Sequence, residues 1–370
     1  MASAFKYGHA SAPHWREATL ACLLQLGDIP AAANLGFIYV TDIFAEHMQE
    51  ILALVKQETG VLHWVGSTGV GICASGHEYL DQPAIALMLA EFPEQSFSVF
   101  STIRHLDDLP DVMTVGKGKP YFGIVHGDPE NQHIPQLIEA FAARMESGFV
   151  VGGLTSSRSE NVQVANSVTH GGLSGVVFTS AVALTTRLTQ GVSTLGKLHE
   201  ITECENNVIS RIDGRPAFDV LKEEIGEILS RDLNRLSGYI FVGLPIAGSD
   251  TGDYVVRNLI GIDVDRKLLA IGESVENGRT LLFCRRDGAS AVHDMQRMLD
   301  DIKASLTGEP RGAVYYSCLG RGESLFGSDS EELKMISRTL GDIPLLGFFA
   351  NGEISHNRIY GYTGVLTVFL

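Results

Sequence analysis

The chain has 370 residues, 45% hydrophobic and 19% charged, a balance that supports a folded body and argues against disorder. Its length exceeds what one hydrophobic core usually covers, so two domains or one duplicated body are expected. The net charge of −16, with no Lys/Arg cluster interleaved with aromatics, excludes the footprint of a nucleic-acid binder and makes anionic membranes poor partners.

Residues 9–27 contain a helical pattern with Trp15, Ala18, Leu20, Cys22, Leu23 and Leu26 on one face, closed by Gly27-Asp28-Ile29-Pro30. A first unit follows: an apolar strand Leu35–Val40, a helix over Phe44–Gln57, a strand from Leu62 into the turn Gly66–Gly71, and a strand over Pro83–Phe92. Phe97–Arg104 alternates as a strand, and Asp107, Asp108, Pro110 and Asp111 mark a polar loop. The second unit repeats the pattern: Tyr121–Val125, a helix over Ile134–Met145, Phe149 running into Gly152-Gly153 and Ser157, and Gly171–Phe178.

Further strands are expected at Val182–Gln190, Lys197–Glu203 and Asn207–Ile212, then a helix opened by Pro216 and running to about Leu229. Arg231–Ser237 reads as a domain boundary. Beyond it come a strand at Tyr239–Leu244, the polar loop Gly248–Asp253, and a hairpin of Tyr254–Asp263 with Lys267–Glu273. A strand at Thr280–Phe283 and an amphipathic helix at Ala291–Ser305 follow. The third unit is Gly312–Cys318, a helix over Glu331–Thr339, Leu345 into Asn351-Gly352-Glu353, and a last apolar strand within Tyr360–Leu370. Forty glycines, many at strand ends, suggest tight turns and close backbone packing.

Met1–His14 has no apolar signal core, and no run approaches the ~20 apolar residues of a membrane span, so a cytoplasmic chain is expected. Cys22, Cys73, Cys204, Cys284 and Cys318 form no CxxC pair, which fits reduced thiols and argues against a zinc knuckle.

Several stretches carry a family resemblance. LGFIYVTD at Leu35–Asp42, HWVGSTGVGI at His63–Ile72 and the run Asn207–Ala217 resemble the FIST N-terminal domain. YSCLGRGESLFG at Tyr316–Gly327, IPLLGFFANGEI at Ile343–Ile354 and YGYTGVLTVF at Tyr360–Phe369 resemble the FIST C-terminal domain. With the helical pattern and the boundary above, the expected organisation is a helical segment at 1–34, a FIST N-terminal domain at 35–232 and a FIST C-terminal domain at 233–370. It implies a sensory module that binds small ligands, with amino acids proposed for the family, and haem-based nitric oxide sensing in some members. Output modules joined to the family (kinase, chemoreceptor, cyclic-dinucleotide enzyme) are not visible, so signalling would need a separate partner. The family pattern continues with cysteine and proline after Gln190-Gly191; here the chain reads Val192-Ser193-Thr194, which weakens a cysteine-based site there.

Ser317-Cys318-Leu319-Gly320-Arg321-Gly322-Glu323 is the sharpest polar constellation. Glycine amides and the Arg321 fork could hold a carboxylate or phosphate, and the arginine could lower the Cys318 thiol pKa. Equally, Cys318 reads as a small core residue, with Arg321 paired to a surface acid. Asn351-Gly352 favours a tight hairpin turn, beside which Glu353 could meet a ligand ammonium group or cap the turn. If Arg321 and Glu353 share a pocket, they would complement the two charges of a free amino acid. Ser67 and Thr68 in the first unit, and Thr155, Ser156 and Arg158 in the second, would be repeat equivalents; their short polar groups could line pockets or bond locally. Histidines lack metal spacing; His63, His126 or His170 could each be an axial haem ligand.

The expected fold is α/β, with mixed sheets built from repeated strand-helix-strand-strand units, helices outside and two related halves. The expected function is non-catalytic sensing of a small ligand. An enzyme using Cys318, Arg321 and Glu353, or a ligand-free interaction scaffold, are the alternatives.

Overall fold

The computed structural model describes residues 5–110, 113–116, 118–230, 236, 238–246 and 254–370. The boundary expected at Arg231–Ser237, apart from Leu236, lies outside the described residues, as do Asp111 and the loop Gly248–Asp253. The fold is α/β, 24% helix and 43% strand in mixed sheets.

The chain forms two compact units. The larger comprises Met1–Thr189 with Met295–Leu370, the smaller Gln190–Asp294. This division by compactness is not the division by sequence near residue 232.

In the larger unit the first sheet contains β1 (Lys6–Ser11), β2 (Leu35–Thr41), β3 (His63–Gly69) and β6 (Ala84–Ala90). The segment before residue 35 therefore holds a strand as well as the helix α1 (Trp15–Leu26). The hairpin β4 (Gly71–Ala74) and β5 (His77–Leu80) precedes β6 in sequence but leaves this sheet. The second sheet contains β7 (Phe97–Ile103), β8 (Phe122–Gly127), β9 (Phe149–Leu154) and β12 (Leu173–Phe178), and the hairpin β10 (Gln163–Ala165) and β11 (Ser167–Thr169) leaves it. The third contains β13 (Leu184–Gln190), β21 (Gly312–Cys318), β22 (Leu345–Ala350) and β25 (Thr363–Phe369), and the hairpin β23 (Glu353–His356) and β24 (Arg358–Tyr360) leaves it.

The three sheets share one strand order: β1-β6-β2-β3-β10-β11, β7-β12-β8-β9-β23-β24 and β13-β25-β21-β22-β4-β5. In each, a parallel pair (β2/β3, β8/β9, β21/β22) sits beside an antiparallel strand. A parallel pair needs a crossover, and the helices α2 (Met48–Thr59), α3 (Ile134–Ala142) and α7 (Glu331–Leu340) lie in those connections. The last two strands of each sheet are a hairpin lent by another segment. β10–β11 complete the first sheet, β23–β24 the second and β4–β5 the third. The exchange is cyclic, so each sheet is completed by a neighbour.

The pattern of β2 shows why the larger unit has this core. Leu35–Thr41 is buried throughout, as a strand covered on both faces requires. Phe37 and Tyr39 point into a core shared with Ile124 and Val151 of the second sheet and Val314, Tyr316 and Phe348 of the third. Ile38 and Val40 point the other way, onto Ala18 and Cys22 of α1 and Ile51, Leu52 and Val55 of α2. The α2 residues recur at helical spacing, and Gly60 ends that helix with a left-handed C-cap whose N–H donates to Lys56 O at 3.0 Å.

The smaller unit contains β14 (Val192–Glu205), β15 (Val208–Ile212), β16 (Arg215–Pro216), α4 (Ala217–Ser230, interrupted at Gly226), β17 (Ile240–Pro245), β18 (Tyr254–Asp263), β19 (Leu268–Ile271) and β20 (Thr280–Arg286). Its sheet order is β14-β20-β17-β18-β19-β15-β16, and β14 also pairs with β15. Six antiparallel strands thus close on themselves, with Phe218, Leu221 and Ile225 of α4 packed among Ile201, Ile240, Leu269 and Phe283. The chain returns to the larger unit within α5 (Gly288–Ser305).

Candidate functional site

The three parallel pairs share one close approach. Gly66, Gly152 and Gly347 lie opposite Ile38, Val125 and Tyr315. A Cβ on these glycines would stand 1.7, 1.8 and 1.6 Å from the carbonyl oxygens of those same residues, so no larger residue fits. One position further on, Tyr39, His126 and Tyr316 meet in the shared core. Tyr39 OH lies 2.9 Å from Tyr316 OH and 3.1 Å from His126 Nε2. The Phe348 ring packs 5.4 Å from Tyr39, 5.6 Å from Tyr316 and 6.0 Å from His126. Tyr39 has one proton to donate, so it donates to at most one of these two partners and accepts from the other. Burial pushes the His126 pKa down to about 3, keeping the ring neutral. Its Nδ1 has no hydrogen-bond partner among the described residues.

Ser67 and Thr68 are buried on β3. Ser67 Oγ lies 2.9 Å from Thr155 Oγ1, and Thr68 Oγ1 donates to Val162 O at 3.2 Å. Ser156 Oγ donates to Phe349 O and accepts from Val70 N–H at 2.9 Å, tying the ends of β9 and β22 together. Arg158 is apart from these: it is largely exposed, its N–H donates to Asp42 Oδ2 at 2.9 Å, and its guanidinium pairs with Asp81. The expected equivalence between Ser67-Thr68 and Thr155-Ser156-Arg158 is corrected by the register. With Gly66 matched to Gly152, the positions in the second unit that correspond to Ser67 and Thr68 are Gly153 and Leu154.

Around the end of β21, Arg321 is fully buried and held by Glu332 of α7. Arg321 Nε donates to Glu332 Oε1 at 2.8 Å. The same carboxylate accepts from Tyr315 OH at 2.6 Å, from Ser317 Oγ at 3.1 Å and from Gly322 N–H at 2.8 Å. The Phe326 ring, on α6 (Glu323–Phe326), lies 4.9 Å from the guanidinium. Burial alone would lower the Arg321 pKa; Glu332 and Tyr315 more than offset it and hold the group above its ordinary value. The acid expected at the surface is therefore a buried one. Arg321 Nη1 has no hydrogen-bond partner among the described residues.

Glu353 is also fully buried. Its Oε2 accepts from Thr363 Oγ1 at 2.7 Å and Thr363 N–H at 3.1 Å, while Oε1 lacks a partner among the described residues. Burial pushes its pKa up to about 8, against the Thr363 hydrogen bonds and the nearby Arg321 charge. Cys318 lies beside this carboxyl, and burial together with Glu353 pushes the thiol up to about 12. That corrects the idea of a thiol activated by Arg321. Asn351 is exposed, and its N–H donates to Leu154 O at 3.0 Å. Asn351-Gly352 is not a hairpin turn: β22 pairs with β21 and β4, whereas β23 pairs with β9 and β24. The dipeptide carries the chain from one sheet to another.

Glu78, on β5, was not singled out by sequence. Its Oε2 is buried without a partner among the described residues, and burial with repulsion from Glu332 and Glu323 pushes its pKa up to about 7. A carboxylate on a short HEYL strand carries no local signal of burial; only pairing with a sheet remote in sequence creates it.

Residues 34–215 match the FIST N domain profile and residues 217–356 the FIST C domain profile. The chain belongs to the FIST family. FIST domains are sensory and signal-transduction domains. Among relatives, an uncharacterised protein of Mycobacterium tuberculosis is 29% identical over 344 residues, 87% of each chain. An uncharacterised protein of Mycobacterium bovis is 28% identical over 389 aligned positions, 98% of each chain. No helix among the described residues of this FIST protein is long and apolar enough to cross a membrane, and all five cysteines are free thiols. The haem expected of some FIST members does not fit the histidines considered for it. Tyr39, Tyr316 and Phe348 pack around the fully buried His126 with centroids at 5.6, 6.1 and 6.0 Å, where a macrocycle would have to displace them. His63 and His170 lie exposed at the surface.

Proposed function

We propose that this FIST protein binds a small zwitterionic metabolite of the amino-acid kind at the end of β21 and signals through a separate protein, such as a kinase, a chemoreceptor or a cyclic-dinucleotide enzyme. One observation carries the reading. Glu353 and Arg321, an acid and a base, are fully buried, and each keeps one polar atom without a hydrogen-bond partner among the described residues. Such atoms are costly in a native interior. A ligand ammonium group would complete Glu353 Oε1, and a ligand carboxylate would complete Arg321 Nη1.

Isothermal titration of the full chain with individual amino acids, in two buffers of different ionisation enthalpy, tests this. An ammonium group draws Glu353 into its charged form, so binding at pH 7 releases a proton. Glu353→Gln loses the proton release and most of the affinity. Absence of binding by every amino acid, or binding unchanged in Glu353→Gln, overturns the reading. A ligand-free scaffold is the second reading, supported by the filled junction of Tyr39, His126, Tyr316 and Phe348. The raised thiol pKa of Cys318 argues against nucleophilic catalysis there.

A further inference from the structure

In the smaller unit, three segments meet at one buried imidazole. His199 lies on β14, where the ladder to β20 shifts between Leu195 and His199. Nδ1 is 2.8 Å from Asp213 Oδ2, in the turn between β15 and β16. Nε2 is 2.9 Å from Glu224 Oε1 on α4. Among the described side chains, the charged groups around the ring are Asp213 from the turn, Glu224 from α4 and, 3.7 Å beyond Asp213, Lys197 from β14. From β20 the Phe283 ring packs at 5.9 Å. Of the other α4 acids whose side chains are described, Asp219 pairs with Lys267 and Glu223 with Arg215.

Donor counting constrains the protons. A neutral imidazole has one N–H and one lone pair, and a carboxylate only accepts. Two carboxylates flanking one ring therefore require either an imidazolium or a protonated acid. Asp213 is disfavoured as the acid: the Glu200 N–H and the His199 hydrogen bond hold its pKa below the ordinary carboxylate range. The backbone also makes room for Glu224. At Gly196, φ +63°, a Cβ would stand 1.4 Å from Glu224 Oε2.

We propose that His199 is a proton-operated latch: its imidazolium seats α4 on the closed strands by bridging Asp213 and Glu224, and loss of that proton frees the first turns of the helix. Once the ring is neutral, a lone pair faces a carboxylate and one bond becomes a repulsion. At the acid end, Asp213's contribution is present above its ordinary pKa and lost as pH falls through the lowered one.

The test is histidine ring ¹⁵N NMR on the full chain, with hydrogen exchange across α4 corrected for intrinsic rates. At pH 7 both His199 ring nitrogens are expected to carry protons. Where that signal is lost on raising the pH, α4 amides should exchange at least about tenfold faster, as expected for one charge-assisted hydrogen bond. His199→Gln should show the faster exchange already at pH 7. A single ring N–H in the wild type at pH 7, or α4 protection unchanged through the loss of the His199 proton, overturns the proposal. The wild-type measurements stand even where the variant does not fold.

Discussion

Replacing Glu332 by Ala removes the acceptor on which the end of β21 is organised. Arg321 Nε, Tyr315 OH, Ser317 Oγ and Gly322 N–H all donate to this one buried carboxylate. Their individual contributions do not add, because the four donors act on one group. The appropriate scale is that for breaking a buried ion pair from one side, about 3–5 kcal/mol. Relief of the repulsion with Glu78 offsets a minor part. At about 2–4 °C per kcal/mol for a body of this size, melting should fall by roughly 10 °C. Tryptophan fluorescence during thermal and urea unfolding is a suitable assay, because Trp15 and Trp64 both lie in the larger unit. Arg321→Met combined with Glu332→Leu should recover part of the loss, since it removes both charges together while Tyr315 OH, Ser317 Oγ and Gly322 N–H still lose their acceptor. A Glu332→Ala loss below about 1 kcal/mol, or a double variant no better than the single one, would refute the claim that Glu332 compensates the buried guanidinium.

Three further outcomes are expected. Ala at Gly66, Gly152 or Gly347 should each cost about 3 kcal/mol, the upper end of overpacking costs, because the new methyl meets a fixed carbonyl oxygen; Gly261→Ala, whose nearest neighbour would be Ala270 Cβ at 3.6 Å, is the tolerated control, and equal melting of all four variants would refute the close-approach argument. Glu353 has a folded pKa raised to about 8. Its stabilising contribution is thus full below the unfolded carboxyl value and lost as pH rises through about 8. Glu353→Gln should therefore gain stability relative to wild type with rising pH, on the order of 4 kcal/mol by pH 9, and a flat difference between pH 5 and 9 would contradict this. Iodoacetamide at pH 7.5 should leave Cys318 unmodified in the folded chain, because its thiolate is scarce; peptide mapping that finds it labelled within minutes would contradict the raised pKa.

The strands of the parallel pairs were legible from continuous apolar runs such as Leu35–Val40 and Leu345–Ala350, with helices between them, but the pairing itself was not. The hairpins β4–β5, β10–β11 and β23–β24 were not legible. Each pairs with a sheet assembled from another part of the chain, and Cys73 opposite Gly347 leaves no local trace. The Gly-Arg-Gly turn drew attention to Arg321, and the Asn-Gly-Glu sequence to Glu353. Glu332 stayed hidden in the pair Glu331-Glu332 at a helix start, where acids ordinarily serve the dipole. Its signal was Ile336, one turn later on the buried face of α7. His126 was visible as a strand end but not as a partner of Tyr39, because that contact depends on three sheets sharing one register.

The most direct test of the ligand-binding account is native mass spectrometry of the full chain mixed with free amino acids, wild type beside Glu353→Gln. The account predicts a single small-molecule adduct on the wild-type chain, weakened about tenfold or more when the charge partner of the ammonium group is removed. The same adduct on both chains, or none on either, would contradict it.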